Sequence, residues 1–239
     1  MDGHEIGLVA KTLRQKTEGL RRAGVRYRTK ATKKKAAAIV EGTDRPTQLA
    51  AVAAEVAACT RCSELARCRT QTVFGVGNPN AELCFVGEAP GADEDAQGEP
   101  FVGAAGQLLT RIIGAMGLQR SDVYICNVLK CRPPGNRPPE PEEIANCRGY
   151  LERQLEIIQP KFICALGAHA AKTLLDSSLS IGRLRGRFHQ FRGIPVLCTY
   201  HPAYLLRTPE AKKDVWEDVQ VLMKEMGLQK AEGGRGKAE

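Results

Sequence analysis

The sequence predicts an α/β fold built on a mostly parallel sheet with helices on both faces. Short apolar runs bounded by turn residues predict buried strands at 83–86, 123–129, 162–166 and 196–200. Apolar residues at three- and four-residue spacings predict helices at 105–116, 142–158, 168–175 and 211–226. Because strands and helices alternate along the chain, the strands are expected to be joined by right-handed crossovers and to lie parallel.

The length and composition fit one main globular domain. The chain has 239 residues, of which 43% are hydrophobic and 26% are charged, values ordinary for a soluble protein. No run of about 18 apolar residues predicts a membrane span, and the first residues lack the basic-then-apolar order of a secretory signal. We therefore expect a cytoplasmic protein that does not enter membranes.

The positive charge is concentrated at the N-terminus. Residues 1–45 hold 12 Lys and Arg and five Asp and Glu, whereas the other 23 basic and 22 acidic residues leave a net charge of only +1. Such a basic segment either binds a polyanion such as DNA through counterion release or is a solvated tail. We expect a disordered arm over 1–45, one domain over 46–228 and a disordered tail over 229–239.

A helical pattern from Pro46 leads directly to the first two of nine cysteines. Four cysteines lie inside predicted strands and are expected to be buried as small apolar side chains: Cys84, Cys126, Cys164 and Cys198. Four others have the spacing of metal ligands, a two-residue chelate followed by two distant members: Cys59, Cys62, Cys131 and Cys147. The spacing fits either Zn²⁺ or an iron–sulfur cluster and leaves Cys68 as a substitute member.

A glycine-rich turn follows the first predicted strand, in the order Gly87-Glu88-Ala89-Pro90-Gly91. A turn between a parallel strand and a helix is where α/β proteins bind ligands, although it is also an ordinary connection. No Gly-Lys-Ser/Thr follows, so the turn is not a nucleotide P-loop. It offers instead a carboxylate at Glu88, backbone amides and, after the turn, the aromatic ring of Phe101.

Two further polar residues, one near the end of a predicted strand and one directly after another, are expected at the same edge of the sheet. Asn127 has a paired amide acceptor and donor, the complement of the N3–H and O4 edge of uracil, but it is equally suited to capping the strand end. His201 is able to hydrogen-bond to an anionic leaving group, or to lie in the core before a helix.

Two more segments are candidates for contacting nucleic acid. Leu205 and Leu206, if exposed, resemble an apolar wedge that enters a base stack. Arg183, Arg185 and Arg187 would share one face of an extended chain, which suits phosphates, or belong to a solvated hairpin. The remaining histidines, His169 and His189, are expected to be structural or surface residues.

Together these motifs resemble family 4 uracil-DNA glycosylases. The resemblance rests on the Gly87–Gly91 turn with Glu94 and Phe101, on the four spaced cysteines, and on the run from His201 to Arg207, and it covers about residues 55–228. It implies a three-layer α/β/α sandwich with a four-stranded, mainly parallel sheet. It also implies a [4Fe–4S] cluster on the four cysteines and removal of uracil from single- or double-stranded DNA, by a protein expected to be a monomer.

The resemblance also implies roles for individual residues. Uracil is bound by the turn residues Gly87, Ala89 and Gly91, by Glu94 near C5, by the stacking ring of Phe101, by the edge-reading Asn127 and by His201 at O2. Leu205, Leu206 and Arg207 are expected to enter the duplex, with Arg185 at a phosphate. Relatives in the wider superfamily carry an Asp where this chain has Ala89. We therefore assign to Glu88, the nearest carboxylate, the role of positioning water or stabilising the sugar cation.

Three alternatives were weighed against this hypothesis. A related branch is trapped covalently on a histidine, but it carries a basic inserted loop, whereas the loop from Cys131 to Cys147 is short and lacks histidine. A non-catalytic DNA-binding module with a metal centre predicts binding without release of uracil. A zinc deaminase requires His-x-Glu and Pro-Cys-x-x-Cys, and these are absent.

Overall fold

The predicted alternation of strands and helices is present in the computed structural model, which describes residues 44–228. The predicted N-terminal arm lies outside the described residues except for Asp44 and Arg45, and the predicted tail over 229–239 lies wholly outside them. Asp44 belongs to the domain rather than to an arm, because its side chain caps the first helix by accepting a hydrogen bond from the Thr47 amide at 3.1 Å.

The elements have the following bounds. The helices are α1 (Arg45–Ala57), α2 (Ser63–Cys68), α3 (Ala92–Gln97), α4 (Ala104–Ala115), α5 (Pro141–Ile158), α6 (Ala168–Leu175), α7 (Ile181–Leu184), α8 (Pro202–Arg207) and α9 (Lys212–Glu225). The strands are β1 (Val76–Gly77), β2 (Leu83–Gly87), β3 (Tyr124–Asn127), β4 (Phe162–Leu166), β5 (Phe188–Phe191) and β6 (Ile194–Thr199). Within residues 44–228, no helix has the length and apolar character needed to cross a membrane.

The sheet has six strands in the order β1-β3-β2-β4-β6-β5. Its four central strands are mutually parallel and are the four that the sequence predicts. The α/β class is therefore confirmed, but the predicted number of strands is too small, because β1 and β5 pair antiparallel with β3 and β6 at the two edges. β1 has two residues, too few to give a periodic signal.

The β5–β6 hairpin explains the second missed strand. Phe191 pairs with Ile194, which leaves a two-residue loop of Arg192 and Gly193. Their φ angles of 49° and 85° lie in the left-handed region, as the twist of a tight hairpin requires. Arg-Gly is a weaker signal for such a turn than Asn-Gly, so the sequence pattern predicts only β6.

Helices cover both faces of the sheet, because its central strands are apolar on both sides. Along β2, Leu83 and Phe85 face the layer that contains α4 and α9, whereas Cys84 and Val86 face the layer that contains α1, α5 and α6. The period-2 alternation of strand side chains thus supplies two cores from one strand. All four strand cysteines are fully buried, as predicted.

Candidate active site

A cleft of about 400 Å³ opens at the carboxyl ends of the central strands. Its lining comes from five segments: the turn after β2, the stretch from α3 to the start of α4, the end of β3, the loop before α5 and helix α8 with the His201 that precedes it. These segments bring together the predicted site residues Glu88, Ala89, Gly91, Glu94, Phe101, Asn127, His201 and Arg207. A cleft of this size accommodates a small organic ligand such as a nucleobase.

Gly87 allows the side chains of Asn127 and Phe101 to pack directly against the backbone. A β-carbon at this position would lie 2.3 Å from Asn127 Oδ1 and 2.5 Å from Phe101 Cζ. Either distance is far below van der Waals contact, so any side chain at 87 displaces one of the two. Gly87 itself is not part of the cleft lining; it acts by leaving room for its neighbours.

The carboxylate of Glu94 fastens the turn to the segment that carries Phe101. It accepts hydrogen bonds from the backbone amides of Gly91 at 3.1 Å, Val102 at 2.9 Å and Gly103 at 3.0 Å. Its acceptor capacity is therefore largely used by the protein. Glu94 lines the cleft as predicted, but the immediate effect of its charge is to fix the shape of the wall.

Phe101 is held in an unusual backbone conformation. Its φ of 57° is rare for a non-glycine residue and costs on the order of 1–3 kcal/mol. The helix after it approaches so closely that a β-carbon at Gly106 would lie 1.9 Å from the Phe101 carbonyl oxygen. Glu94 thus holds the two residues after the strained Phe101, Gly106 leaves room for its carbonyl, and its buried ring forms a wall of the cleft.

Asn127 presents a polar atom that the protein leaves unpaired. Its side chain is 2% exposed, and its Oδ1 is the one buried side-chain nitrogen or oxygen among residues 44–228 without a hydrogen-bond partner. A buried acceptor without a partner costs about 1–3 kcal/mol. Because Asn127 lies at the end of β3 in the cleft lining, this cost is recovered when a ligand in the cleft donates a hydrogen bond.

His201 is held as a neutral imidazole. Its Nδ1 accepts a hydrogen bond from the Ala203 amide at 3.2 Å, so the ring proton is assigned to Nε2. Burial, together with the positive charge of Arg207 and against the negative charge of Glu94, lowers the pKa of His201 to about 4. At neutral pH the residue is therefore an uncharged donor beside the ring of Phe101, with 5.5 Å between the ring centroids.

Glu88 also lies in the cleft lining. Burial raises the pKa of its carboxyl group, and the nearby imidazole of His169 partly opposes this shift, an influence that the position of His169 in the sequence does not predict. His189 is structural, as expected, because its Nε2 contacts the Leu184 carbonyl oxygen at 2.8 Å.

The predicted double-leucine wedge is wrong for Leu205. The residues after His201 form helix α8, whose successive side chains point about 100° apart, so the two adjacent leucines face different directions. Leu205 is 1% exposed and packs in the core, whereas Leu206 is 46% exposed. Arg207 is exposed and lines the cleft, which leaves Leu206 and Arg207 as the accessible members of the segment.

The predicted row of three arginines is also wrong. Residues 181–184 form the helical turn α7, so Arg183, Arg185 and Arg187 do not lie along an extended chain. Arg185 donates to Asp218 at 3.0 Å, and its guanidinium lies 5.2 Å from the ring centroid of Tyr200. It is consequently engaged in the interior rather than displayed for phosphate.

The four predicted cysteine ligands line one small cavity. Cys59 and Cys62 come from the loop between α1 and α2, Cys131 follows β3, and Cys147 lies on α5. Cys68, the possible substitute, is exposed and outside the cavity. Within the described residues, no three Cys, His, Asp or Glu side chains are arranged to hold a single metal ion.

The sulfur atoms of this cavity have N–H donors around them. Arg69 donates to Cys131 Sγ at 3.1 Å, Arg61 to Cys59 Sγ at 3.5 Å, and Asn146 Nδ2 to Cys62 Sγ at 3.6 Å. Such donors stabilise thiolates and tune the potential of iron–sulfur clusters. The donor set therefore fits a cluster whose four corners are each held by one cysteine.

The loop between Cys131 and α5 contributes cleft residues that sequence reasoning missed. Pro133, Asn136 and Arg137 line the cleft together with Tyr204 of α8. Arg137 is fixed by Glu143 at 2.7 Å and by Glu64 at 2.8 Å, so its position joins the start of α5 to α2. The density of prolines in this loop was the available signal, because a stiff loop next to a predicted site is expected to be part of it.

Comparisons with known proteins agree with this geometry. A model of the Uracil DNA glycosylase superfamily matches residues 74–220. The chain is 46% identical to the type-4 uracil-DNA glycosylase of Archaeoglobus fulgidus over 172 residues, which cover 69% of this chain and 86% of that protein. It is 47% identical to the type-4 uracil-DNA glycosylase of Thermotoga maritima over 173 residues, covering 71% of this chain and 90% of that protein. The corresponding protein of Sulfurisphaera tokodaii is 47% identical over 173 residues, covering 69% and 78%.

Proposed function

The chain belongs to the uracil DNA glycosylase superfamily, in its type-4 branch, and we propose that it hydrolyses the N-glycosidic bond of uracil in DNA as the first step of base-excision repair. The target bond is not accessible within a stacked duplex, so the nucleotide must flip out at a cost of a few kcal/mol. The cleft between β2, β3 and α8 receives the flipped base.

The single observation that carries this proposal is the unpaired, buried Oδ1 of Asn127, a residue of the cleft lining. Uracil presents an N3–H donor beside the O4 acceptor, and the amide of Asn127 complements both. Cytosine presents an acceptor and an amino group in the same places, so it leaves Oδ1 without a donor. The amide of Asn127 thereby distinguishes uracil from cytosine.

Phe101 supplies the stacking surface for the base. Base–aromatic stacking contributes roughly 1–3 kcal/mol per base, which offsets much of the flipping cost. The backbone conformation of Phe101 is already strained in the free protein, so binding does not have to impose it. Glu94 shapes the wall near C5 of the base through its three backbone hydrogen bonds, and this wall opposes the methyl group of thymine.

His201 acts as a neutral hydrogen-bond donor to the departing base. As the bond between C1′ and N1 breaks, its electron pair moves into the uracil ring and develops negative charge on O2. The Nε2–H of His201 donates to O2, and amides of the Gly87–Gly91 turn assist, in the manner of an oxyanion hole. Donation from an uncharged imidazole stabilises this charge without first protonating the base.

Glu88 serves the sugar side of the reaction. The oxocarbenium-like sugar is attacked at C1′ by water, and the water proton passes to the Glu88 carboxylate and then to solvent. The raised pKa of Glu88 makes it a better base than an exposed carboxylate. In this proposal the Glu88 carboxylate takes the role of the Asp that other superfamily members carry at the position of Ala89.

The four cysteines are proposed to hold a [4Fe–4S] cluster that braces the loop beside the cleft. When bound, the cluster supplies four cysteine–iron bonds that cross-link the loop after α1, the end of β3 and helix α5. Cys131 is four residues beyond Asn127, so the base-reading strand end is fixed from its C-terminal side. Leu206 and Arg207, the exposed residues of α8, enter the duplex and contact the adjacent backbone.

The decisive experiment is a single-turnover assay of the purified full-length protein with a 5′-labelled oligonucleotide that contains one uracil. We expect release of free uracil and an abasic site from a protein that carries a brown chromophore, without added metal. Matched oligonucleotides with cytosine or thymine in place of uracil are the controls and should remain intact. Binding without release, or a persistent covalent protein–DNA adduct, would contradict the proposal.

A further inference from the structure

Lys130 is a buried lysine that the proposed reaction does not use. It lies three residues after Asn127 and its side chain is 1% exposed. Within the described part of the chain, no carboxylate pairs with its ammonium group; its hydrogen-bond partners are neutral oxygens. Burying an unpaired ammonium costs several kcal/mol in an apolar interior, so its presence here requires a compensating role.

The ammonium group holds the end of β3. Lys130 Nζ donates to the backbone carbonyl of Asn127 at 2.7 Å and to Gln154 Oε1 at 2.5 Å. Gln154 is itself fully buried and donates through Nε2 to the Phe74 carbonyl oxygen at 2.9 Å. The carbonyl of the base-reading residue is thus anchored to α5 and to the segment before β1 by a chain of buried hydrogen bonds.

Lys130 is also next to the cysteine cavity, because Cys131, a residue of the cavity lining, follows it directly. Gln154 lies seven residues after Cys147 on α5, two turns further along the same face of the helix. Lys130 therefore touches both the strand end that carries Asn127 and the helix that carries a cysteine of the centre.

We infer that Lys130 is a positioning residue: its ammonium fixes the Asn127 carbonyl so that the side-chain amide keeps its orientation in the cleft, and the cysteine centre supplies its counter-charge. This inference rests on the proposed function, because Asn127 is taken to read uracil. It explains why a lysine rather than a neutral donor occupies the position, since four cysteine sulfurs bound to iron carry net negative charge.

The first test replaces the ammonium by a group of similar length, Lys130→Met. Single-turnover release of uracil should fall roughly 10- to 100-fold, the usual effect of removing a supporting contact behind a functional residue. The dissociation constant for DNA should stay within about threefold, because Lys130 is buried and does not contact DNA. In an Asn127→Ala background the same change should alter the rate less than about threefold, since residues that act through one another are not additive.

The control for general destabilisation is Leu155→Ala, which truncates a buried side chain next to Gln154 on α5. It should lower the melting temperature, yet leave uracil release within about threefold at 25 °C. Equal loss of rate in Leu155→Ala and Lys130→Met, or additivity of Lys130→Met with Asn127→Ala, would overturn the positioning role.

The second test measures the counter-charge without any DNA. Lys130→Met should retain its visible absorbance, and its reduction midpoint should be more negative than that of the unsubstituted protein, because a positive charge that favours the reduced centre is gone. Lys161→Met, the same change at an exposed lysine paired with Glu82 at 2.5 Å, should leave the midpoint unchanged. An unshifted midpoint in Lys130→Met would overturn the counter-charge. Failure of the unsubstituted protein to release uracil would contradict the proposed function alone, since this readout is independent of it.

Discussion

The active-site cleft and the cysteine cavity share the segment after β3, yet they treat their polar atoms in opposite ways. In the cleft, Asn127 Oδ1 has no partner and Phe101 is held at a strained φ of 57°. In the cavity, the sulfurs of Cys59, Cys62 and Cys131 each receive an N–H donor. An unsatisfied buried acceptor favours a ligand that supplies the missing hydrogen bond, whereas N–H donors around the sulfurs stabilise thiolates that hold a bound centre.

The largest expected loss of activity follows from removing the unpaired amide of Asn127 in the cleft. Asn127→Ala should lower the rate of single-turnover uracil release by about 10⁴-fold. Sites built around buried hydrogen bonds lose activity on this scale when one partner is missing. The matched control is Asn136→Gly, which removes an exposed amide from the same cleft lining and tolerates the left-handed backbone found there. Comparable losses in the two variants would contradict the assigned role of Asn127.

The next effect concerns the carboxyl group of Glu88 and the imidazole of His201. Glu88→Gln should lower the rate by about 10²–10³-fold, within the range of general base catalysis. In the unsubstituted protein the rate should fall as pH decreases through the raised pKa of Glu88, because only the carboxylate accepts a proton. His201 remains neutral above its pKa of about 4 and should not contribute to this limb. A rate–pH profile of Glu88→Gln that retains the same limb would show that another group titrates.

A smaller effect is expected from the cavity side. Cys147→Ser should lower the visible absorbance and the melting temperature, and it should reduce uracil release roughly 10- to 100-fold, because the bracing of the β3 end is weakened while the cleft residues remain. Cys68→Ser provides the matched control at an exposed cysteine outside the cavity. It should change none of the three quantities, and any loss of absorbance in it would mean that Cys68 belongs to the centre.

The smallest effect on activity is expected at Leu206, and it should differ from the effect of the same change at Leu205. Leu206→Ala should reduce release from duplex DNA by up to about tenfold and leave single-stranded DNA unaffected, because only a duplex requires a wedge to fill the gap after flipping. Leu205→Ala should instead cost about 2–5 kcal/mol of folding free energy through a core cavity. Thermal unfolding should be affected mainly by Leu205→Ala, and release from duplex DNA mainly by Leu206→Ala. Equal effects of the two substitutions in these assays would contradict the difference in burial.

Much of the cleft was predictable, because parallel strands bring their carboxyl ends to one edge of the sheet. Glu88 and His201 follow strands, and Asn127 ends one, whose apolar runs are clear in the sequence. The errors arose where long-range contacts decide the outcome. Arg185 is paired with Asp218, 33 residues further along the chain, and no local pattern reveals that pairing.

Other features needed coordinates for a different reason. The orientation of Leu205 depends on whether the residues after His201 are extended or helical, and Pro202 is compatible with both. The use of Glu94 as an acceptor for three backbone amides depends on a loop closure between Gly91 and Gly103. A carboxylate near a binding site has the same sequence signature whether it contacts the ligand or holds the wall.

The two short edge strands have a consequence for how copies of this protein meet one another. An open parallel sheet offers rows of unpaired backbone groups at both edges, and such edges recruit strands from other molecules. Here one edge ends in the two residues of β1, and the other in β5, whose His189 and Gln190 are polar. The sheet thus ends in strands that are too short or too polar to template intermolecular pairing, which protects an apolar core from aggregation.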